Sequence, residues 1–213
     1  MSPLSLTPVA ETVLTHTFSK AMTRAGEAIG EMSGKRVVVT APSVRRCSAS
    51  DVIEMAGGAD AIVVAVYVGI TGSMSGHALL MLSPDGARQL AGILLDGFFE
   101  EPNADTLRGS LSFDEMQISA LQEVGNVTIG AFLNEIGRHL SEPVVPTVPQ
   151  AVVEMAGAIL DGVLMDLIVD SDQILAAETT FQEGEDQIQG TLLVLPKPAP
   201  LAVLLDALGA LDR

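Results

Sequence analysis

Residues 34 to 42 read GKRVVVTAP, and residues 141 to 149 read SEPVVPTVP. Laid over one another at an offset of 107, they match Val37 with Val144, Val38 with Val145, Thr40 with Thr147 and Pro42 with Pro149. Further back, Ile29 and Gly30 fall on Ile136 and Gly137. The offset is close to half of the 213 residues, so the chain reads as two similar halves, about 1–107 and 108–213, and not as a solenoid with a repeat of roughly 20–50 residues.

The order of elements supports the repeat. Each half opens with a helical pattern, about 8 to 32 and about 113 to 139, in which apolar positions recur three or four apart. A short Val-rich strand then ends at a proline, which cannot donate to a ladder and suits a strand terminus. Next come a short helix, about 50 to 57 and about 150 to 166, and a hairpin. ADAIVVAVYVGI and GHALLMLS, joined by TGSMS, form the first hairpin; QILAAETTFQ and QIQGTLLVLP, joined by EGED, form the second. SPDGARQLAGILL and APLAVLLDALGAL are the closing helices. The nearly unbroken apolar run AIVVAVYV predicts a sheet covered by helices. The expectation is a layered α/β fold of two pseudosymmetric halves, each long helix, strand, helix, β-hairpin, helix. No Pro- or Ser-rich linker separates them, so they are expected to pack as a single domain over 1–213. GFFEEPNADTLRG (97–109) is the one candidate boundary, with Phe98 and Phe99 suited to burial at a seam.

Composition narrows the function. Hydrophobic residues make up 48% of the chain, enough for a sizeable core. A formal charge of −16 disfavours a nucleic-acid backbone or an anionic lipid as partner, because both need a positive surface. The single cysteine, Cys47, precludes an internal disulfide and fits a reducing cytoplasm. It follows Arg45 and Arg46, which could lower its pKa, but a structural role is its default. MSPLSLTPVAETVL has neither a basic leader nor an apolar core of the signal-peptide kind, and no run approaches the ~20 apolar residues of a membrane span. His16, His77 and His139 are scattered, so no metal is expected. GITGSMSG lacks the lysine of a phosphate-binding loop and reads as a hairpin turn.

One stretch of the second long helix carries chemistry: SALQEVGN, residues 119 to 126. Residues three apart share a helix face, so Glu123 and Asn126 project side by side, with Ser119 one turn earlier. Gly125 and Gly130 allow a close approach, at a cost in helix propensity of about 1 kcal/mol each. A solvated stripe on an amphipathic helix has the same spacing. The longer pattern is more specific. Ser119-x3-Glu123-x2-Asn126-x22-Pro149 resembles the signature of the CheC/CheX/FliY family of chemotaxis phosphatases: Asp or Ser, three residues, Glu, two residues, Asn, twenty-two residues, Pro. The resemblance extends over nearly the whole chain, since CheC-type members are also two pseudosymmetric halves of about this length. The chain as given ends at Arg213, leaving no length for the additional C-terminal switch domain of FliY proteins, so the CheC type is expected.

The resemblance implies hydrolysis of the aspartyl phosphate on a CheY-type response regulator in the cytoplasm. It implies that Glu123 pairs with a lysine of the regulator and that Asn126 orients the attacking water. Ser119 and Pro149 would be supporting positions. It implies no cofactor of the chain's own, Mg²⁺ being bound by the regulator. Subtracting 107 gives Thr12, His16, Ser19 and Pro42 as the first-half counterparts; acid and amide are both replaced, and this copy is read as inactive. The alternative from another class is a non-catalytic adaptor that binds the receptor deamidase CheD or phosphorylated CheY.

Overall fold

The computed structural model describes residues 8–95, 112–167 and 174–197, with 203, 204 and 206 of a last helix. The candidate boundary 97–109, with Phe98 and Phe99, and most of the closing helix APLAVLLDALGAL lie outside the described residues. In chain order the elements are α1 (Pro8–Ser33), β1 (Val37–Thr40), β2 (Val44–Cys47), α2 (Ala49–Met55), β3 (Ile62–Gly72), β4 (Gly76–Leu82) and α3 (Pro84–Leu94). They continue with α4 (Glu115–Leu140), β5 (Val144–Pro146), β6 (Gln150–Met155), α5 (Ala156–Leu167), β7 (Ile174–Glu183) and β8 (Asp186–Pro196). α1 and α4 are both 26 residues long and start and stop 107 positions apart, and α2 and α5 begin at the same offset.

Among the described residues, eight antiparallel strands form one sheet with the order β1-β7-β8-β4-β3-β5; β2 also pairs with β7, and β6 with β3. The halves are therefore cross-paired: β1 and β2 of the first lie on β7 of the second, and β5 and β6 of the second lie on β3 of the first. Both sheet faces are covered. Val64, Val66, Val68, Leu80, Leu192 and Val194 point into a core with Leu14, Phe18, Met22, Leu90, Leu121, Val124 and Phe132 of α1, α3 and α4. Their strand neighbours Val63, Ala65, Leu79, Met81, Leu193 and Leu195 point the other way, onto Val52 of α2 and Leu160 and Val163 of α5. Strand side chains alternate faces, so a sheet dry on both sides has to be apolar at every position. That accounts for AIVVAVYV.

Two expectations need correcting. Residues 150–155 are strand β6, not the start of a helix, which begins only at Ala156. With β2, missed in VRRC, each half therefore has two short strands before its short helix. Pro146 does end β5, but the matched prolines Pro42 and Pro149 end no strand. Between the pairs Ile70–Pro146 and Tyr67–Gln150, three residues, Thr147 to Pro149, oppose only Val68 and Gly69. In the first half, Ala41 to Ser43 oppose Glu178 and Thr179 in the same way. Pro42 and Pro149 each lie in a β-bulge, where a missing N–H breaks no ladder bond.

Candidate functional site

Helix α4 is built to hold one face inward and another outward. Asp114 caps its start, accepting from the Gln117 N–H, while the Gln117 side chain accepts from the Asp114 N–H. This reciprocal box satisfies two amides that a helix start leaves without intrahelical partners. Arg138 and His139 lie in the last turn, where cations suit the helix dipole. Leu121, Val124, Ile129, Phe132, Leu133 and Ile136 are buried against the sheet and α1. Gly125 is a point of close approach: a Cβ there would lie 2.4 Å from Cγ1 of Val66 on β3. The glycine thus seats the helix on a strand side chain.

The opposite face carries the predicted residues. Ser119 and Glu123 are exposed and Asn126 is half-buried. Among the described residues, none of the three side chains has a hydrogen-bond or ionic partner. Glu123 and Asn126 are about 4.5 Å apart along the axis. Beyond them a Cβ on Gly130 would meet nothing within 4 Å, so that flank is open. Pro149, half-buried in the bulge, accepts a hydrogen bond at its carbonyl from Nε2 of Gln122, 3.3 Å away. All four motif positions thus belong to one region, α4 and the bulge beside it. The surface is an exposed helix face, whereas two cavities of about 410 and 640 Å³ lie on the α2/α5 side of the sheet.

No protein-family model matches the chain. It is 24% identical over 185 residues to the CheY-P phosphatase CheC of Bacillus subtilis (strain 168), covering 86% of this chain and 86% of the relative. The similarity runs along most of both chains. The solved FliY of Thermotoga maritima superposes with a TM-score of 0.73 at 16% identity, covering 96% of this chain and 98% of that one. The FliM middle domain from H. pylori gives 0.65 at 8% identity, with 94% and 97% covered. At these identities the structures show the fold.

In the first half of the chain, Thr12, His16 and Ser19 form the corresponding exposed stripe on α1, and Pro42 is exposed. Thr12 donates back to the Pro8 carbonyl. His16 and Ser19 bring neither a carboxylate nor an amide to that stripe. Next to it, Lys20 and Arg24 reach across to Glu135 of α4, which Arg138 also binds. Glu135 is only 3% exposed and joins the two helices, as do Phe18 and Phe132 with ring centroids 4.1 Å apart. Cys47 is buried, and burial raises its thiol pKa against the opposing effect of Arg45, so the adjacent arginines do not activate it.

Sequence reasoning missed Gln122 and Thr147. Thr147 meets Gly69 twice: its N–H donates to the Gly69 carbonyl at 2.8 Å, and its hydroxyl accepts from the Gly69 N–H at 2.9 Å. These contacts fix the bulge against β3.

Proposed function

We propose that this chain hydrolyses the aspartyl phosphate of a CheY-type response regulator in cytoplasmic chemotaxis signalling, acting as one domain with one working copy of its repeated site. The observation that carries the reading is the pair Glu123 and Asn126: neighbours on an outward helix face, unpartnered within the described residues, at the family spacing to Pro149. The similarity to a CheY-P phosphatase supports it.

The roles follow from the side chains. An acyl phosphate has a good leaving group, and in this reading the divalent cation belongs to the regulator's own site, so what remains is to hold a water in line with phosphorus. An amide can accept a hydrogen bond from that water and donate one to a phosphoryl oxygen, whereas a carboxylate would repel the phosphate. Glu123, one turn away, pairs with a regulator lysine and fixes the register. An exposed helix face suits insertion into another protein's active site better than capture of a small molecule. His16 and Ser19 cannot make the same combination.

Phosphate release from an acyl-phosphorylated regulator tests this. Asn126→Ala is expected to keep binding and lose about 10²-fold in kcat, about 3 kcal/mol of positioning. Glu123→Ala is expected to raise KM, and His16→Ala to leave the rate unchanged. An undiminished rate in Asn126→Ala removes the amide from the mechanism. Binding of a CheD-type deamidase by a chain that releases no phosphate would favour the adaptor instead.

A further inference from the structure

The two bulges occupy corresponding places in the halves, yet they are offset by one residue. In the first half the residues between the flanking ladder pairs are Ala41, Pro42 and Ser43; in the second they are Thr147, Val148 and Pro149, which correspond to 40, 41 and 42, Thr147 keeping one main-chain bond to Gly69. A shift of one residue in a strand turns side chains to the other face. Ala41 is accordingly buried at 2% exposure, while its counterpart Val148 is 82% exposed. The half that keeps the acid and the amide is the half whose bulge turns a β-branched apolar side chain outward.

The clamp between long helix and bulge differs as well. Position 122 corresponds to position 15. Thr15 accepts from the Val44 N–H at 3.3 Å, just past the first bulge. Gln122 has a longer side chain and a donor, and reaches the carbonyl of Pro149 within the second. Backbone groups in a bulge lose their ladder partners, and a part-buried carbonyl needs another donor. Gln122 supplies it from a place next to Glu123 and one turn before Asn126. Thr147 and Gly69 pin the other end of the same three residues. Val148 is held between these two anchors.

We propose that Gln122 is a positioning residue for the reaction: it holds the bulge Thr147–Pro149 so that Val148 stands beside the Glu123/Asn126 face as an apolar contact for the incoming regulator. The inference rests on the functional reading above. Gln122 touches no reacting atom; it acts through Pro149 and Val148. Its loss therefore weakens docking while Asn126 stays in place.

Three variants and two readouts test this: Gln122→Met, which keeps length and removes the donor, Val148→Ala, and the two combined. In the free protein, Gln122→Met is expected to speed amide exchange at Thr147, whereas Val148→Ala leaves it unchanged. With phosphorylated regulator, each single variant is expected to raise KM about fivefold, as for one lost hydrogen bond or a small apolar contact, with kcat within about twofold. The double variant should be no worse than about the single Gln122→Met, because both act through one segment. The proposal is overturned by an unchanged KM in either single variant, by effects that multiply in the double, or by a loss confined to kcat. Unchanged exchange at Thr147 overturns the clamp whatever the regulator does. A wild-type chain that releases no phosphate, with exchange at Thr147 quickened in Gln122→Met, would sink the functional reading while leaving the clamp standing.

Discussion

Replacing Gly125 by alanine should destabilise the protein, although the same change in an exposed helix stabilises it. Alanine is favoured over glycine by about 1 kcal/mol in a helix interior. Here the new Cβ would lie 2.4 Å from Cγ1 and 2.6 Å from Cβ of Val66. Carbon atoms prefer about 3.5–4.0 Å, so the helix or the strand would have to retreat by more than about 1 Å. Val66 is fully buried and has few rotamers to escape into. Overpacking costs about 1–3 kcal/mol, and this geometry argues for the upper end. The net expectation is a loss of about 2 kcal/mol. Gly130→Ala is the control: nothing lies within 4 Å, and a gain of about 0.5–1 kcal/mol is expected. Val66→Ala removes the closest atom but leaves its own Cβ at 2.6 Å. It should therefore rescue Gly125→Ala only in part, with a coupling of about 1 kcal/mol. The chain has no tryptophan and one tyrosine, so urea unfolding is best followed by far-UV circular dichroism. If Gly125→Ala matches Gly130→Ala in stability, or if the double variant is strictly additive, α4 does not rest on Val66 as described.

Other perturbations have equally definite outcomes. Glu135→Gln leaves Lys20, Arg24 and Arg138 without their shared anion, but these are 39–56% exposed and can turn to water, so urea unfolding should show a loss of about 1–3 kcal/mol, below that for a fully buried charge; a gain would refute the bridge. Cys47 should resist a thiol reagent at pH 8 in the native protein and react fully in urea, since burial holds the thiol in its protonated form; rapid native labelling would contradict this. Asp51 at the start of α2 has its carboxyl pKa lowered from 3.8 by the Ser48 N–H and hydroxyl. The contribution of this capping box is thus present above the unfolded value and lost as pH falls through the folded one. Protection of the α2 amides, taken relative to their intrinsic exchange rates, should fall on acidification below about pH 4, and Asp51→Asn should flatten that dependence; identical acid limbs would exclude the box as the cause.

What could be read in the sequence depended on the range of the interactions. The two long helices show in apolar periodicity within their own 26 residues, and the hairpins in dense apolar runs bounded by turns. QAVVEM was misread because it runs into AGAILDGVLMDL without punctuation; its pairing with β3, 83 to 93 residues earlier, makes it a strand, and Val152 with Val153 was the local sign. VRRC was hidden by its two arginines, one exposed and one half-buried, between the buried Val44 and Cys47. Glu123 and Asn126 were legible because the motif fixes their spacing to Pro149. Gln122 was not, because a lone glutamine on a helix has no pattern, and its partner becomes visible only when the bulge is seen.

The exchange of edge strands between halves also bears on how the polypeptide matures. Val37 must wait for Glu183, so a nascent first half emerging from the ribosome holds strand edges that nothing yet satisfies. Closing so distant a pairing late, and against chain entropy, marks a slow and aggregation-exposed route that favours escort by a chaperone. Main-chain bonds also weld the two halves together, so a substitution on the outward face of one long helix leaves the sheet beneath the other intact.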